Sequence, residues 1–245
     1  GIISPQITNV IADGVVLNPT ACIEEIENLK KGGIKKFKLL ISNRCHLIMP
    51  YHIDQDGNFE NTAKSKNKSG TTKRGIGPAY ADKMDRRSIR AGDLLEPKFL
   101  KEKLEGILTF KNKELKGLGL KPYSVKELYD SLMKCAKYLK PYICDTQQFL
   151  VKSLKEHKRI LFEGAQGMML DIDRGTYPYV TSSSPSACYA PQGAGVPPQA
   201  IKNVVAICKA YTTRVGAGPF PSEQNNPLGD KIREIGHEYG TVTKR

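Results

Sequence analysis

Residues 8–17 read TNVIADGVVL, and residues 38–42 read KLLIS. Val and Ile are common in strands and the Asp-Gly pair is typical of a turn, so the first stretch predicts a strand that runs into a turn. Between the two stretches, Pro19 opens a helix that Gly32-Gly33 ends, because glycine accepts the left-handed conformation of a helix C-cap. This strand–helix–strand order predicts an α/β fold with a mostly parallel sheet flanked by helices.

The rest of the chain extends this pattern. Apolar residues at helical spacing predict a helical insertion at about 97–158, with two amphipathic helices, a break at 117–122 and a third helix at about 145–156. Continuous apolar runs at 159–164 (RILFEG) and 204–208 (VVAIC) predict two further buried strands. The polar residues 54–69 predict a loop.

Composition excludes several classes of protein. The 245 residues include 39% hydrophobic and 26% charged residues, which is typical of a globular chain and excludes collagen-like and wholly disordered proteins. We expect no membrane partner, because no apolar run approaches the roughly 18 residues of a membrane span. None of the six cysteines has C-x-x-C spacing, which favours free thiols and a cytoplasmic location.

The net charge of +13 has two interpretations. Clustered Lys and Arg can neutralise the phosphates of a nucleic acid, but here the basic residues are spread along the chain without interleaved aromatic residues. A solvated Lys-rich surface is therefore favoured, and no nucleic-acid partner is expected.

Two basic segments could bind phosphate. In GTTKRGIGP (70–78), glycines allow close approach of the backbone to a ligand, and two hydroxyls and two cations accompany them. Ile76-Gly77 stand where a Walker A loop has Lys-Ser/Thr, so the segment is not such a loop, and a surface loop without a ligand fits it equally well. In DRRSIR (85–90), arginine forks suit phosphate oxygens, whereas the alternative is a charged helix face.

A third segment follows the predicted strand at 159–164, where ligands of open α/β folds bind. It reads FEGAQG (162–167), LDID (170–173) and GTYPYVTSSS (175–184), and Gln166 could contact the amide-like edge of a base. The two aspartates of LDID could bind a metal or bond their own turn backbone. A fourth segment, GTVTKR (240–245), ends the chain, and no histidine lies in a known catalytic motif.

In this order, these segments together with KAYTTRVGAGPFPSE (209–223) resemble the adenylosuccinate synthetase family. The resemblance implies a fold similar to P-loop NTPases, a homodimer, and a GTP- and Mg²⁺-dependent ligase of purine (AMP) biosynthesis. This ligase joins IMP and L-aspartate to give adenylosuccinate, GDP and phosphate through 6-phosphoryl-IMP, because phosphorylation turns the O6 of IMP into a good leaving group.

The resemblance also implies which residues contact substrates. IMP would be bound by Thr72, Arg86, Gln166, Thr181 and Arg245, with Arg86 reaching the site of the partner subunit. The loop that receives aspartate would comprise Thr241, Val242, Thr243, Lys244 and Arg245. It assigns no metal ligand in this chain.

The chain also departs from the family pattern. It matches a central portion, and the family's Gly-rich GTP loop, with its Asp base and His acid, would lie upstream of Gly1. We therefore expect residues 1–245 to form an incomplete single domain that binds GTP and Mg²⁺ poorly and lacks turnover alone. Val242 replaces a Thr, and Cys188-Tyr189 replace two glycines. Two alternatives stay open: a related synthetase for another purine nucleotide, and a non-catalytic binding remnant.

Overall fold

A computed structural model describes residues 1–62, 71–240 and 244–245. A three-stranded parallel sheet has the order β1 (Thr8–Ile11), β3 (Lys38–Ser42) and β5 (Ile143–Cys144). A two-stranded parallel sheet pairs β2 (Val16–Leu17) with β4 (His46–Leu47). The strand predicted at 38–42 and the strand and turn predicted within 8–17 are confirmed.

Helices connect and cover these strands. They are α1 (Pro19–Lys31), α2 (Pro50–Thr62), α3 (Ile76–Met84), α4 (Pro97–Gly117), α5 (Val125–Leu139), α6 (Thr146–Lys155), α7 (Ala190–Ala194) and α8 (Pro227–Gly236). Local sequence fixes several helix starts: the side chains of Asn18 and Asp145 accept backbone N–H groups at the first turns of α1 and α6. The three helices predicted between 97 and 158 are confirmed as α4, α5 and α6.

The main core lies where α1, α4 and α5 pack over β3 and β4. Its fully buried residues include Ile41, Leu47, Leu100, Leu104 and Leu139. A smaller core cluster contains Leu150, Ala194 and Val196, which joins α6 to α7. The apolar faces of the helices predicted from spacing are therefore the faces that pack.

Three expectations differ from the structure. Residues 159–164 and 204–208 form no strand, because a strand requires a paired neighbour and the described chain places none beside them. In the second stretch Val205 is 85% and Ile207 93% exposed, whereas Ile160 and Phe162 in the first are half-buried against the smaller core cluster. Residues 54–62 belong to helix α2 rather than a loop, while the rest of the predicted loop lies outside the described residues.

Strand β5 was not predicted. It lies within the range 97–158, between α5 and α6, and pairs with β3 at Ile41 and Ser42. Over the described ranges, no helix has the length and apolarity that crossing a membrane requires.

Candidate functional site

The carboxyl ends of the parallel strands carry a polar cluster. Asp13 follows β1, Ser42 ends β3, and Thr146 follows β5. The Ser42 hydroxyl donates to Asp13 at 2.5 Å, and the Thr146 hydroxyl donates to the same carboxylate at 3.3 Å. This is the sheet edge at which α/β folds bind ligands.

Next to this cluster, three segments meet around Gly14. The Tyr80 hydroxyl on α3 donates to the Gly14 carbonyl at 2.9 Å, and the Gly14 N–H donates to the Gly193 carbonyl at 2.7 Å. The Tyr189 ring lies against both glycines: a Cβ built on Gly193 would be 3.0 Å from the Tyr189 ring. Tyr189 therefore packs beside the contact between Gly14 and Gly193. Burial raises the pKa of Tyr80 to about 12.

The segment with Thr72 precedes α3. Thr72 itself is exposed, and the neighbouring Thr71 hydroxyl and Gly75 N–H both bond the Asp56 carboxylate. Gly75 has a φ of +76°, which favours glycine. The sequence did not single out Asp56, which lies fifteen residues before Thr71 on a helix that was expected to be a loop.

The hydroxyl-rich segment with Thr181 lies against the start of α3. A Cβ built on Gly77 would be 3.4 Å from the Ser182 hydroxyl, so the segments that carry Thr72 and Thr181 are in contact. The Thr181 N–H donates to the Leu170 carbonyl at 2.8 Å. The structure thus places the two segments in contact at Gly77 and Ser182.

Gln166 lies next to this segment. It is exposed, with a φ of +60°, and the following Gly167 accepts the Leu170 N–H at 2.9 Å. Because Leu170 also bonds Thr181, the turn after Gln166 and the Thr181 segment form one hydrogen-bonded unit.

Two arginines extend this unit toward the chain's last residues. The Arg214 guanidinium donates to the Thr176 hydroxyl at 3.0 Å and to the Tyr179 carbonyl at 3.2 Å. Arg245 forms a bidentate ion pair with Glu223, with both N–O distances 2.6 Å, and also donates to the carbonyls of Gly216 and Gly218. Its guanidinium is therefore held by protein groups in this structure.

Arg86 lies apart from these residues, just beyond the far end of α3. The nine residues of α3 span roughly 14 Å, which separates Arg86 from the Thr72 segment. Arg86 lines a cavity of about 370 Å³ with His46, Lys83, Met84, Ser88, Arg90 and Lys103. Burial, with nearby Lys83 and Arg90, lowers the pKa of His46 to about 4, so this cavity combines a neutral imidazole with several cations.

The aspartate loop is only partly described. Thr241, Val242 and Thr243 lie outside the described residues. The Lys244 ammonium lies 4.3 Å from the centre of the Tyr239 ring, and the Lys244 N–H donates to the Gly240 carbonyl.

The LDID segment forms a turn of its own. The Asp171 carboxylate accepts the N–H groups of Asp173 and Arg174, which fits the backbone-turn interpretation of LDID.

Comparisons with known proteins were consistent with one another. A family model of adenylosuccinate synthetase matches residues 1–245. Adenylosuccinate synthetases from Leuconostoc mesenteroides and Ligilactobacillus salivarius are 49% and 50% identical to the chain over its full length, and the chain covers 57% of each.

Solved structures gave the same result. A fully ligated adenylosuccinate synthetase from Plasmodium falciparum is 36% identical, with a TM-score of 0.86 over 96% of this chain and 55% of that one. A cyanophage S-2L succinoaminodeoxyadenylate synthetase, 17% identical with a TM-score of 0.50 over 80% of this chain and 43% of that one, is similar in fold. The chain therefore spans a little over half the length of the relatives it matches.

Proposed function

The chain belongs to the adenylosuccinate synthetase family, and we propose that it provides the IMP-binding part of a ligase that makes adenylosuccinate. The reaction joins IMP and L-aspartate with GTP, releases GDP and phosphate, and proceeds through 6-phosphoryl-IMP. One observation carries the proposal: the start of α3 lies against the hydroxyl-rich segment at 181–184, because a Cβ built on Gly77 would be 3.4 Å from the Ser182 hydroxyl.

The groups along this contact suit a phosphorylated nucleoside. The hydroxyls of Thr72 and Thr181 would donate to the anionic part of IMP, as hydrogen bonds to charged oxygens are stronger than those to neutral ones. Gln166 offers an amide donor and acceptor for the base. Arg245 would reach IMP only after exchanging some of its bonds to Glu223, Gly216 and Gly218.

Arg86 would act in a second subunit. Its exposed side chain lies at the end of α3 opposite the Thr72 segment, which supports contact with the partner subunit's IMP rather than with its own. The aspartate loop, with Thr241, Val242, Thr243, Lys244 and Arg245, would receive aspartate beside IMP. Val242 cannot donate a hydroxyl hydrogen bond, so aspartate binding would rest on the other members.

The described residues contain no cluster of metal-ligating side chains. Among them, no three His, Cys, Asp or Glu side chains are grouped as a cation would require. We assign no Mg²⁺ ligand among them. Their proposed contribution is to bind and orient IMP, because phosphoryl transfer depends mainly on positioning and charge stabilisation.

The proposal is tested by IMP binding to the purified chain. Calorimetry should show that Thr72→Val and Thr181→Val each weaken IMP binding roughly 10- to 100-fold, as expected when a hydrogen bond to a charged group is lost. Thr109→Val is the matched control, since Thr109 is exposed on α4 and its hydroxyl bonds only the Glu105 carbonyl of its own helix.

The choice of nucleotide separates the open alternatives. IMP should raise the thermal unfolding midpoint more than dGMP does, whereas a preference for dGMP would favour a synthetase for another purine nucleotide. The proposal would be contradicted if neither nucleotide raised the thermal unfolding midpoint and both threonine variants gave the same calorimetric result with IMP as the wild type.

A further inference from the structure

The segment with Thr72 is fastened at both ends to one buried carboxylate. Asp56 on α2 is 7% exposed. It accepts the Thr71 hydroxyl at 3.0 and 3.2 Å and the Gly75 N–H at 2.9 Å. Thr71 and Gly75 flank Thr72, so a single side chain determines where both ends of this short segment lie. We call Asp56, Thr71 and Gly75 the Asp56 clamp.

The segment between these two attachments faces solvent. Thr72, Lys73 and Arg74 are exposed, although each is at most two residues from a clamped position. The Lys73 N–H donates to the Thr71 hydroxyl at 3.2 Å, which tightens the turn. The clamp therefore holds the backbone, while the Thr72 side chain stays exposed to solvent.

Helix α2 also supports the clamp by direct contact. A Cβ on Gly75 would lie 2.9 Å from the Ile53 nitrogen and 3.0 Å from the His52 Cβ, so no larger residue fits there. His52 is fixed in turn: its Nδ1 accepts the Met49 N–H, and its Nε2 bonds Asp82 on α3, each at 2.9 Å. Gly75 therefore packs against a part of α2 that hydrogen bonds of His52 hold in place.

We propose that Asp56 is a positioning residue that preorders the Thr72 segment for the nucleotide; this rests on the proposed IMP site. Asp56 acts through Thr71 and Gly75 and does not contact the nucleotide itself. Without the carboxylate, residues 71–75 would lose conformational freedom on binding, and that entropy cost would weaken affinity.

The first test removes the carboxylate. Asp56→Ala should weaken IMP binding to the chain roughly 10- to 100-fold, because several residues must then be ordered by the ligand. Asp56→Asn should recover part of the loss, since one amide oxygen can still accept the Gly75 N–H. Asp54→Ala is the matched control: Asp54 lies on the same helix and carries the same charge but is exposed and bonds Tyr123.

A second comparison tests the hydrogen bond between Thr71 and Asp56. Thr71→Val should weaken IMP binding less in the Asp56→Ala background than in wild type, because the bond to Asp56 is already absent there and only the Lys73 N–H loses its acceptor. Additive effects of the two substitutions would overturn the clamp. So would an unchanged IMP affinity in Asp56→Ala, even if that variant unfolded at lower temperature.

Amide hydrogen exchange distinguishes this inference from the proposed function. In the absence of nucleotide, the Gly75 amide should exchange faster in Asp56→Ala than in Asp54→Ala, because only the first variant removes its acceptor. Equal exchange rates of the Gly75 amide in the two variants would overturn the positioning role of Asp56 and leave the proposed function standing. A wild-type chain that protects Gly75 but does not respond to IMP would instead overturn the proposed function, and with it the role of Asp56 toward a nucleotide.

Discussion

At the scale of single residues, two buried histidines are held in the neutral form. Burial lowers the pKa of His52 despite its bond to Asp82, and His46 is similarly affected and bonds the Ser88 hydroxyl. The His52 ring is also restricted to one tautomer. Its Nδ1 accepts the Met49 N–H, so the proton resides on Nε2 and is donated to Asp82.

These histidines predict a loss of stability in mild acid. Between about pH 6.5 and pH 4, His46 is protonated in the unfolded chain but stays neutral in the folded chain. The free energy of unfolding should therefore decrease as the pH is lowered through this window, with a slope approaching about 1.4 kcal/mol per pH unit for each histidine. Urea unfolding of wild type and His46→Gln at several pH values checks this, and equal slopes for the two proteins would contradict it.

Lys111 anchors the same buried network from α4. Its ammonium is 6% exposed and bonds Asp82 at 2.8 Å and Glu114 at 2.7 Å. We expect Lys111→Ala to lower the free energy of unfolding by about 3 kcal/mol, because Asp82 would keep its buried charge with only His52 as a partner. Urea unfolding measures this. Lys113→Ala, an exposed change on the same helix, should stay within about 0.5 kcal/mol of wild type.

At the scale of elements, helices were predicted best from the sequence where their apolar residues line a packed face. Helices α4 and α5 were predicted because their buried leucines recur at helical spacing. Helix α2 was missed because its buried residues include His52, Gln55 and Asp56. The burial of His52 and Asp56 depends on hydrogen bonds to distant residues, which no local pattern reveals. The strands expected at 159–164 and 204–208 failed for a related reason: strand formation needs a neighbour as well as an apolar run.

The same limit applies to the candidate site. The segments 70–78 and 175–184 stand out in the sequence by their glycines and hydroxyls. Their contact through Gly77 and Ser182, and the attachment of the first segment to Asp56, arise from packing between distant parts of the chain. Sequence therefore indicated which groups could bind IMP, and the structure shows how some of their segments are held.

Helix α4 contains one position that can be improved. Gly106 is exposed in the middle of the helix, and a Cβ there would meet no atom within 4 Å. Gly106→Ala should raise the free energy of unfolding by about 0.5–1 kcal/mol, because alanine loses less backbone freedom in a helix. Thermal unfolding measures the gain. Gly75→Ala is the opposing comparison and should destabilise, since its φ is positive and its neighbours are close.

At the scale of the whole molecule, the proposed role of Arg86 would connect IMP binding to self-association. If a second subunit contributes Arg86 to each site, IMP affinity should increase with protein concentration as dimers form. Calorimetric titrations at several concentrations of the chain, with oligomer size measured by light scattering, check this. Arg86→Ala should bind IMP more weakly and show little concentration dependence. An affinity that is identical for wild type at every concentration would contradict the shared site.

Helix α3 has the Thr72 segment before its first turn and Arg86 two residues after its last. If each site takes Arg86 from the neighbouring subunit, the length of α3 sets the distance between the two bound nucleotides. One inserted residue would turn Arg86 by about 100° and shift it about 1.5 Å relative to Thr72. Loops elsewhere could vary in length during evolution, but this helix would have to keep its residue count for both sites to work together.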